Sequence, residues 1–239
     1  MAGALLEVEG LTKRFGGFTA LNRVSLVVNP GERLGLIGPN GSGKTTLINC
    51  ISGTLRSEGG TIRFTGHDIT AVPAHRRTHL GIVRTFQIPK PFASMTVLDN
   101  LRIPIEYTAH RHGAGALADA TAILELVGLM AKAPVIASTL TQIEMRKLEL
   151  ARAMAARPKL LISDEAMAGL SSAEVDDILA ILFRLNESGI TIIMIEHIMR
   201  AVMRFSQRIV VLDAGERIAE GTPDEIVRDP AVEKAYLGE

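Results

Sequence analysis

The sequence predicts an α/β fold with a small antiparallel β layer and a helical insertion. Three observations lead to this prediction. Before residue 88 and after residue 158, short apolar runs of strand length alternate with helical patterns, which is typical of a sheet flanked by helices. Residues 5–9 and 20–28 instead alternate apolar and polar side chains, as antiparallel strands do. Between residues 96 and 157 the patterns are helical.

The individual elements follow in chain order from the spacing of apolar side chains. Residues 97–105, for example, place their apolar side chains on one helical face despite Pro104. The predicted strands are residues 5–9, 20–28, 34–37, 61–64, 81–86, 159–165, 190–195, 208–212 and 217–219. The predicted helices include residues 47–51, 74–79, 116–127, 141–156 and 173–188, and a further helix opens with a capping box at residues 222–225.

A glycine-rich stretch at residues 38–46 carries the clearest chemical pattern in the chain. Its sequence, Gly-Pro-Asn-Gly-Ser-Gly-Lys-Thr-Thr, fits the phosphate-binding loop G-x-x-x-x-G-K-[ST]. The apolar run at residues 34–37 precedes it and residues 47–51 follow it, so it lies between a strand and a helix as the motif requires. A plain glycine-rich turn explains neither the lysine nor the threonines. The sequence therefore predicts nucleotide binding here.

Each residue type in this loop has a chemical reason. Glycines let backbone N–H groups close around phosphates without a Cβ in the way, and the helix N-terminus adds its positive dipole end. Lys44 can reach the β- and γ-phosphate oxygens, and the Thr45 hydroxyl can hold Mg²⁺. The residues expected to bind nucleotide are Gly38, Asn40, Gly41, Ser42, Gly43, Lys44, Thr45 and Thr46.

Composition narrows the classes of function. Lys+Arg and Asp+Glu balance at 26 each, so net charge gives no reason to expect a nucleic-acid partner. Cys50 is the only cysteine, so no disulfide forms within the chain, which suits a reducing compartment. The N-terminus lacks the pattern of a signal peptide, and the longest apolar run, residues 189–195, is too short for a membrane span. We therefore expect a cytoplasmic protein.

Further chemical groups follow two predicted strands. Asp164 and Glu165 end the strand at residues 159–165, and the carboxyl ends of parallel strands are where such sites form. Asp164 can bind the Mg²⁺ shell, and Glu165 can polarise the water that attacks a γ-phosphate. Without the phosphate loop, an ordinary polar strand end would be the better interpretation. His197 follows the strand at residues 190–195 and can reach the same edge to contact a γ-phosphate oxygen, although a structural histidine is the alternative.

Two further candidate functional sites have weaker support from the sequence. Phe15, next to two glycines, could stack on a purine base or pack as a satellite core side chain. The His-Arg-His sequence at residues 110–112 suggests a metal, but no third ligand is evident. A solvated loop is the better interpretation of that segment.

The order of these pieces resembles the ATP-binding cassette of ABC transporters over nearly the whole chain. The resemblance implies a P-loop NTPase fold with a mixed central sheet, an ATP and Mg²⁺ requirement, and an adenine-stacking role for Phe15. It also implies that Gln87 contacts Mg²⁺ and senses a membrane subunit, and that His197 is the switch histidine. The implied catalytic residues are Glu165, His197, Lys44 and Gln87, and the implied metal ligands are Thr45, Gln87 and Asp164.

Within this family the chain looks most like the branched-chain amino-acid importers. Residues 147–153, residues 195–203 and the tail at residues 230–239 carry this likeness. The expectation is an ATP-hydrolysing subunit, peripheral on the inner face of the cell membrane, that works with integral membrane permease subunits. The cargo would be branched-chain amino acids, another amino acid, urea or a small amide.

The resemblance also implies a division of the chain. A single cassette domain is expected over residues 1–239. Its RecA-like core, with the antiparallel β subdomain, would comprise residues 1–87 and 158–239, and a helical subdomain would comprise residues 88–157.

The chain departs from the family at the signature loop. The usual Leu-Ser-Gly-Gly-Gln falls at residues 140–144, where the sequence is Leu-Thr-Gln-Ile-Glu. In the family this loop faces the γ-phosphate held by the other subunit of a head-to-tail dimer. We therefore expect Ile143 to crowd that approach and Glu144 to add a negative charge. Two further departures are Ala166, where proline is usual, and Ser171, where aspartate is usual.

These departures suggest a heterodimer. Because this chain's own phosphate loop is intact, a different cassette subunit with an intact signature could complete its site; a homodimer is the alternative. A nucleotide-gated regulatory subunit with little hydrolysis is the other class that the degenerate loop suggests, although the presence of Glu165 and His197 is against it. An ABC protein outside transport and a small-molecule kinase fit the pattern less well.

Overall fold

A computed structural model describes residues 3–86, 89–109 and 112–237. The strands are β1 (Leu6–Phe15), β2 (Phe18–Val28), β3 (Arg33–Ile37), β4 (Gly59–Phe64), β5 (His67–Asp68), β6 (Ile82–Arg84), β7 (Leu160–Asp164), β8 (Thr191–Ile195), β9 (Arg208–Asp213) and β10 (Glu216–Gly221). The α-helices are α1 (Lys44–Ser52), α2 (Ala74–Leu80), α3 (Val97–Ala109), α4 (Gly113–Val127), α5 (Gln142–Ala155), α6 (Ser172–Glu187), α7 (Met199–Phe205), α8 (Pro223–Val227) and α9 (Pro230–Leu237). Within these described ranges, every helix is too short or too polar to cross a membrane.

The first sheet is antiparallel, as predicted, with the order β2-β1-β4-β5. β1 and β2 form a hairpin in which Phe15 lies opposite Phe18. β1 extends well beyond the predicted strand at residues 5–9. Register shifts after Val8 and Leu11 break the apolar alternation, so the second half of the strand has no clear period-two pattern.

The second sheet is mixed, with the order β10-β9-β3-β8-β7-β6. Strands β3, β6, β7, β8 and β9 run parallel to one another, and β10 runs antiparallel to β9. Every residue of β7 and β8 is buried, which explains their continuous apolar runs, because helices or the first sheet cover both faces. The carboxyl ends of β3, β7 and β8 lie at one edge, and the candidate site residues follow them.

The predicted helical region between β6 and β7 is confirmed as helices α3, α4 and α5, which pack on one another. Pro104 lies inside α3 without ending it. Leu101 and Ile105 on either side of the proline are buried, so packing of the apolar face offsets the lost backbone hydrogen bond. The assignment of residues 88–157 to a separate subdomain stays a prediction.

Helices α7 and α9 were not predicted. They contain seven and eight residues, which is too short for a helical period to stand out from neighbouring segments. The capping box predicted at residues 222–225 is confirmed: the Thr222 hydroxyl accepts from the Glu225 N–H, and the Glu225 carboxylate accepts from the Thr222 N–H.

Arg77 on α2 is a buried cation that the sequence pattern did not reveal. Its side chain is 2% exposed, and its guanidinium donates to the carbonyl oxygens of Val72, Cys50, Ile51 and Thr70 at 2.7–3.0 Å. Cys50 and Ile51 lie in the last turn of α1, where carbonyls lack helical partners. Burial lowers the pKa of the guanidinium. Arg77 thus caps the helix that follows the phosphate loop.

Candidate nucleotide-binding site

The phosphate loop lies between β3 and α1, as predicted. Two of its glycines are required by their surroundings. Gly38 has a φ of 149°, and a Cβ there would lie 2.0 Å from the carbonyl oxygen of Leu212. Gly43, the N-cap of α1, has a φ of 102°, and a Cβ there would lie 2.7 Å from the carbonyl oxygen of Ala20. The loop therefore touches the backbone of both sheets, and only glycine fits.

The turn between β9 and β10 closes the loop on another side. The Gly215 N–H donates to the Ser42 carbonyl oxygen at 3.1 Å, and the Asn22 N–H donates to the Gly215 carbonyl oxygen at 2.8 Å. The loop is thus held between a hairpin near the start of the chain and a turn near its end.

Lys44 is buried and braces the loop from inside. Its ammonium donates to the carbonyl oxygens of Gly38 at 2.7 Å and Pro39 at 2.9 Å, and to the Ser42 hydroxyl at 3.4 Å. Burial lowers the pKa of Lys44, and the carboxylates of Glu165 and Asp164 oppose that shift. A triphosphate would offer stronger, charged acceptors in place of these neutral carbonyls.

A cleft of about 270 Å³ gathers most of the predicted site residues. The structure brings together the phosphate loop, the adenine-stacking candidate and three of the four catalytic candidates, namely Lys44, Glu165 and His197. The lining residues are Phe15, Phe18, Ala20, Asn40, Gly41, Ser42, Gly43, Lys44, Thr45, Thr46, Glu165 and His197. Gln87, the fourth catalytic candidate, lies outside the described residues, and its role stays a prediction.

Two aromatic side chains stand at the open side of the cleft. Phe15 and Phe18 are 48% and 63% exposed, so neither is a satellite core residue. Both flank the two-glycine turn of the β1–β2 hairpin, and the Lys13 ammonium lies 5.2 Å from the centre of the Phe15 ring. The sequence analysis singles out only Phe15, although Phe18 is an aromatic residue next to the same two glycines.

Glu165 and His197 meet at the sheet edge. The His197 Nε2 lies 3.0 Å from the Glu165 Oε1. Glu165 has a φ of 48°, a left-handed conformation that is uncommon for a non-glycine residue. Its N–H donates to the Ile195 carbonyl oxygen at 2.9 Å, which holds this turn against the end of β8. The residue proposed to polarise water is therefore fixed in a strained backbone and oriented by the histidine.

Asp164, next to Glu165, already has a cationic partner. The Arg84 guanidinium donates to the Asp164 Oδ2 from Nη2 at 2.6 Å and from Nε at 3.2 Å. The Thr85 hydroxyl accepts from the Asp164 N–H at 3.2 Å. The end of β6 thus holds the end of β7 by two side chains, a pairing that local sequence patterns do not show.

The oxygen donors at this edge suit Mg²⁺ rather than a softer metal. In the part of the chain that the structure describes, no group of three or more His, Cys, Asp or Glu side chains could hold a metal ion. His110 and Arg111, from the His-Arg-His sequence considered above, lie outside the described residues. A magnesium ion carried by nucleotide phosphates needs few protein ligands. The Thr45 hydroxyl and the Asp164 carboxylate remain suitable donors beside the loop.

The degenerate signature segment begins α5. Thr141 is the N-cap, and its hydroxyl accepts from the Glu144 N–H while the Glu144 carboxylate accepts from the Thr141 N–H at 2.9 Å. The same carboxylate lies 3.0 Å from the Lys132 ammonium, and these contacts hold the pKa of Glu144 below its usual value. The charge expected at this position is therefore already paired within the chain. Gln142, in place of glycine, donates to the Ala168 carbonyl oxygen at 3.3 Å.

Glu196, which precedes His197 in the chain, is a buried carboxyl group that sequence reasoning did not single out as a site residue. It is 3% exposed, and its Oε1 accepts from the Met167 N–H at 2.9 Å. Burial raises the pKa of Glu196 to about 7, and the nearby Glu165 carboxylate adds to the shift. This group therefore changes protonation in the neutral range.

Comparisons with known proteins agree with this geometry. The sequence model of the ABC transporter family matches residues 21–168, and the model described as branched-chain amino acid ATP-binding cassette transporter matches residues 216–239. The high-affinity branched-chain amino acid transport ATP-binding protein BraF of Pseudomonas aeruginosa is 42% identical over 258 aligned residues, with 100% of both chains covered. LivG of Escherichia coli, which carries the same description, is 39% identical over 254 aligned residues, again with 100% of both covered.

Solved structures agree as well. A nucleotide-free ATP-binding cassette from an ABC transporter superposes with a TM-score of 0.89 at 35% identity, covering 99% of this chain and 100% of that one. The ADP conformation of another such cassette gives a TM-score of 0.90 at 34% identity and the same coverage.

The fold and the cleft therefore define an ATP-binding cassette. The chain belongs to the ABC transporter family of ATP-binding proteins, and it is an ATPase.

Proposed function

We propose that this chain powers the import of branched-chain amino acids, or of a closely related small polar solute, as the ATP-binding subunit of the transporter. The match of residues 216–239 to the branched-chain amino acid cassette carries the proposal, because this segment lies outside the general ABC transporter match. Full-length relatives named as branched-chain amino acid transport ATP-binding proteins support it.

The residues that line the cleft suggest one role each in binding the nucleotide. Phe15 stacks on adenine, with Phe18 beside it. The loop amides and the α1 N-terminus hold the phosphates. Lys44 exchanges its carbonyl contacts for the β- and γ-phosphate oxygens and stabilises the charge that develops there.

The sheet edge supports the chemical step. Glu165 polarises the water that attacks the γ-phosphate, and His197 orients Glu165 and contacts a γ-phosphate oxygen. Thr45, Asp164 and Gln87 would hold Mg²⁺, which neutralises phosphate charge when it is bound with the nucleotide.

Hydrolysis is coupled to transport by dimer closure in this proposal. Two cassette chains close on ATP, the closure moves the permease subunits between access states, and hydrolysis reopens the pair. The chain lies on the inner face of the cell membrane, bound to those permease subunits.

We further propose that the partner is a different cassette chain. The phosphate loop is intact, whereas Gln142 and Ile143 stand where close approach to a phosphate favours glycine. The Gln142 amide is engaged with Ala168 and the Glu144 carboxylate with Lys132. Both side chains are thus held within this chain rather than directed at a partner's nucleotide.

The ATPase rate of the chain alone, compared with that of the pair assembled with its co-purifying cassette, tests the heterodimer. We expect slow turnover alone and at least about tenfold faster turnover in the pair. Restoring glycines, Q142G together with I143G, should speed the isolated chain. Equal rates per site in both preparations would exclude the proposed division of labour.

Uptake into vesicles tests the cargo. The chain would be purified with its membrane subunits, reconstituted, and supplied with ATP inside and labelled leucine, isoleucine or valine outside. Uptake of these three, with urea and glutamine as competitors, should identify the preferred solute. Transport of urea alone would refute the branched-chain assignment while leaving the ATPase role intact.

The regulatory alternative is not favoured. A subunit that only binds nucleotide has no need for the 3.0 Å contact between Glu165 and His197, and the relatives are transport ATP-binding proteins by name.

A further inference from the structure

Arg84 is nearly buried and makes a directed set of contacts. Its side chain is 11% exposed and that of Asp164 is 10% exposed. Besides its two bonds to Asp164, the guanidinium donates from Nη1 to the Asn49 Oδ1 at 2.5 Å. Its carbon atom CZ lies 5.5 Å from the centre of the Phe86 ring. The cation thus has a partner in the helix after the phosphate loop as well as at the sheet edge.

The contact with Asp164 is one-sided. Both Arg84 bonds end on Oδ2, and among the described residues no donor reaches Oδ1. A guanidinium that grips a carboxylate bidentately uses both oxygens, so this geometry leaves one oxygen of Asp164 available. The Thr85 contact to the Asp164 N–H fixes the backbone at the same point.

From these contacts we propose that Arg84 is a positioning residue: it holds one oxygen of Asp164 so that the other is presented to the divalent cation that accompanies the nucleotide. The inference rests on the proposed metal role of Asp164. Groups that hydrogen-bond metal ligands fix their orientation, and their loss commonly weakens metal binding by about 10- to 100-fold.

Arg84 also keeps Asp164 anchored before any nucleotide arrives. A carboxylate that is 10% exposed needs a charged partner. The Arg84 guanidinium supplies this positive charge through Oδ2 and leaves Oδ1 for the metal. Because Asn49 holds the third arm of the guanidinium, Arg84 has little freedom to follow a moving carboxylate, and the orientation is set by α1 and β6 together.

A magnesium titration of nucleotide binding tests the proposal. Affinity for a fluorescent ATP analogue would be measured against Mg²⁺ concentration in an E165Q background, where turnover does not interfere. For R84Q we expect the Mg²⁺ concentration at half-maximal effect to rise about tenfold, while affinity without Mg²⁺ stays within about twofold. An unchanged or lowered midpoint would overturn the proposal.

Two further variants distinguish a positioning role of Arg84 from an effect of its charge and from a general effect on the structure. R84K keeps the charge but loses the planar fork, so it should also raise the midpoint; wild-type behaviour of R84K would show that charge alone matters and would overturn positioning. In a D164N background, R84Q should add no further shift, and an additional shift of the same size would show that Arg84 acts elsewhere.

The same titration distinguishes a failure of the proposed metal role of Asp164 from a failure of the proposed positioning role of Arg84. If D164N alone leaves the Mg²⁺ midpoint unchanged, then Asp164 is not a metal ligand and the proposed site fails before Arg84 is considered. If D164N raises the midpoint and R84Q does not, only the inference about Arg84 fails. R84K also guards against misfolding of R84Q, because it retains a cation beside Asp164.

Discussion

The His197 imidazole and the Glu165 carboxylate, contributed by the ends of neighbouring strands β8 and β7, lie 3.0 Å apart through Nε2 and Oε1. His197 is half exposed and Glu165 less so. The carboxylate therefore lines the cleft with its Oε1 held by the imidazole.

Replacing Glu165 by Gln should abolish turnover and spare binding. The amide keeps the size and a contact for His197 but cannot accept a proton, so we expect a fall in turnover of at least about 100-fold. Nucleotide affinity should change by less than about twofold. Phosphate release and a nucleotide titration measure the two effects, with the exposed Glu125→Gln as the matched control. Retained turnover in E165Q would exclude the water-polarising role.

Replacing Lys44 by Ala should weaken binding itself. The variant loses the contact to the phosphates and also the three bonds that brace the loop. We expect affinity for ATP to fall at least about tenfold, since charge-assisted bonds to phosphate are the strong ones. A nucleotide titration, with the exposed Lys159→Ala as control, gives the answer. Unchanged affinity would mean that the loop amides alone hold the phosphates.

The two aromatics at the cleft should contribute to base binding unequally. Base–aromatic stacking is worth about 1–3 kcal/mol by alanine substitution, so Phe15→Ala should weaken ATP binding by about tenfold or more. Phe18, at 63% exposed, should matter less. Tyrosine at either position should preserve affinity. Binding of ATP compared with inorganic triphosphate is the informative measurement, because a stacking defect leaves triphosphate binding unaltered.

Glu196 should make stability depend on pH. Its pKa is raised from 4.5 to about 7 in the folded chain, so its contribution to stability is complete below pH 4.5 and is lost as the pH rises towards 7. Glu196→Gln cannot ionise. It should exceed the parent in unfolding free energy by up to about 3 kcal/mol at pH 8, with the difference vanishing below pH 5.

Urea unfolding at both pH values measures this effect. The exposed Glu125→Gln variant controls for a change in net charge. A difference of equal size at pH 5 and pH 8 would show that the substitution acts through packing rather than through ionisation.

Arg77 should be important for stability although it lies away from the cleft. Removing the guanidinium takes the side-chain donor away from the buried carbonyls of Cys50 and Ile51, and Cys50 keeps only the Gly53 N–H at 3.2 Å. We expect Arg77→Met to lower the free energy of unfolding by about 3 kcal/mol. The neighbouring exposed Arg76→Met should change it by less than about 0.5 kcal/mol. Similar losses for both would contradict the capping role.

Much of this fold and site could be predicted because the signals are local. The phosphate loop is contiguous, the apolar runs of β7 and β8 reveal their burial, and Asp164, Glu165 and His197 directly follow strands. The parallel pairing of β7 with β8 then brings the last two together.

What could not be predicted depends on pairing over long sequence distances. Arg84 and Asp164 are 80 residues apart, and Arg77 caps a helix end 27 residues earlier. The sequence pattern around either arginine does not indicate burial, because a buried arginine is recognised only from the positions of its hydrogen-bond partners. The metal role of Gln87 stays a prediction, since that residue lies outside the described ranges.

The closure of the phosphate loop by the Gly215 turn has a consequence for the making of the protein. The motif at residues 38–46 leaves the ribosome early, yet the strands on both sides of β3 are β8 and β9, and the turn that donates to Ser42 follows them. A nascent chain that ends before this turn carries the motif and the β1–β2 hairpin but lacks the contact from the turn to Ser42. We therefore expect nucleotide to stabilise the folded cassette only after β8, β9 and this turn have been made.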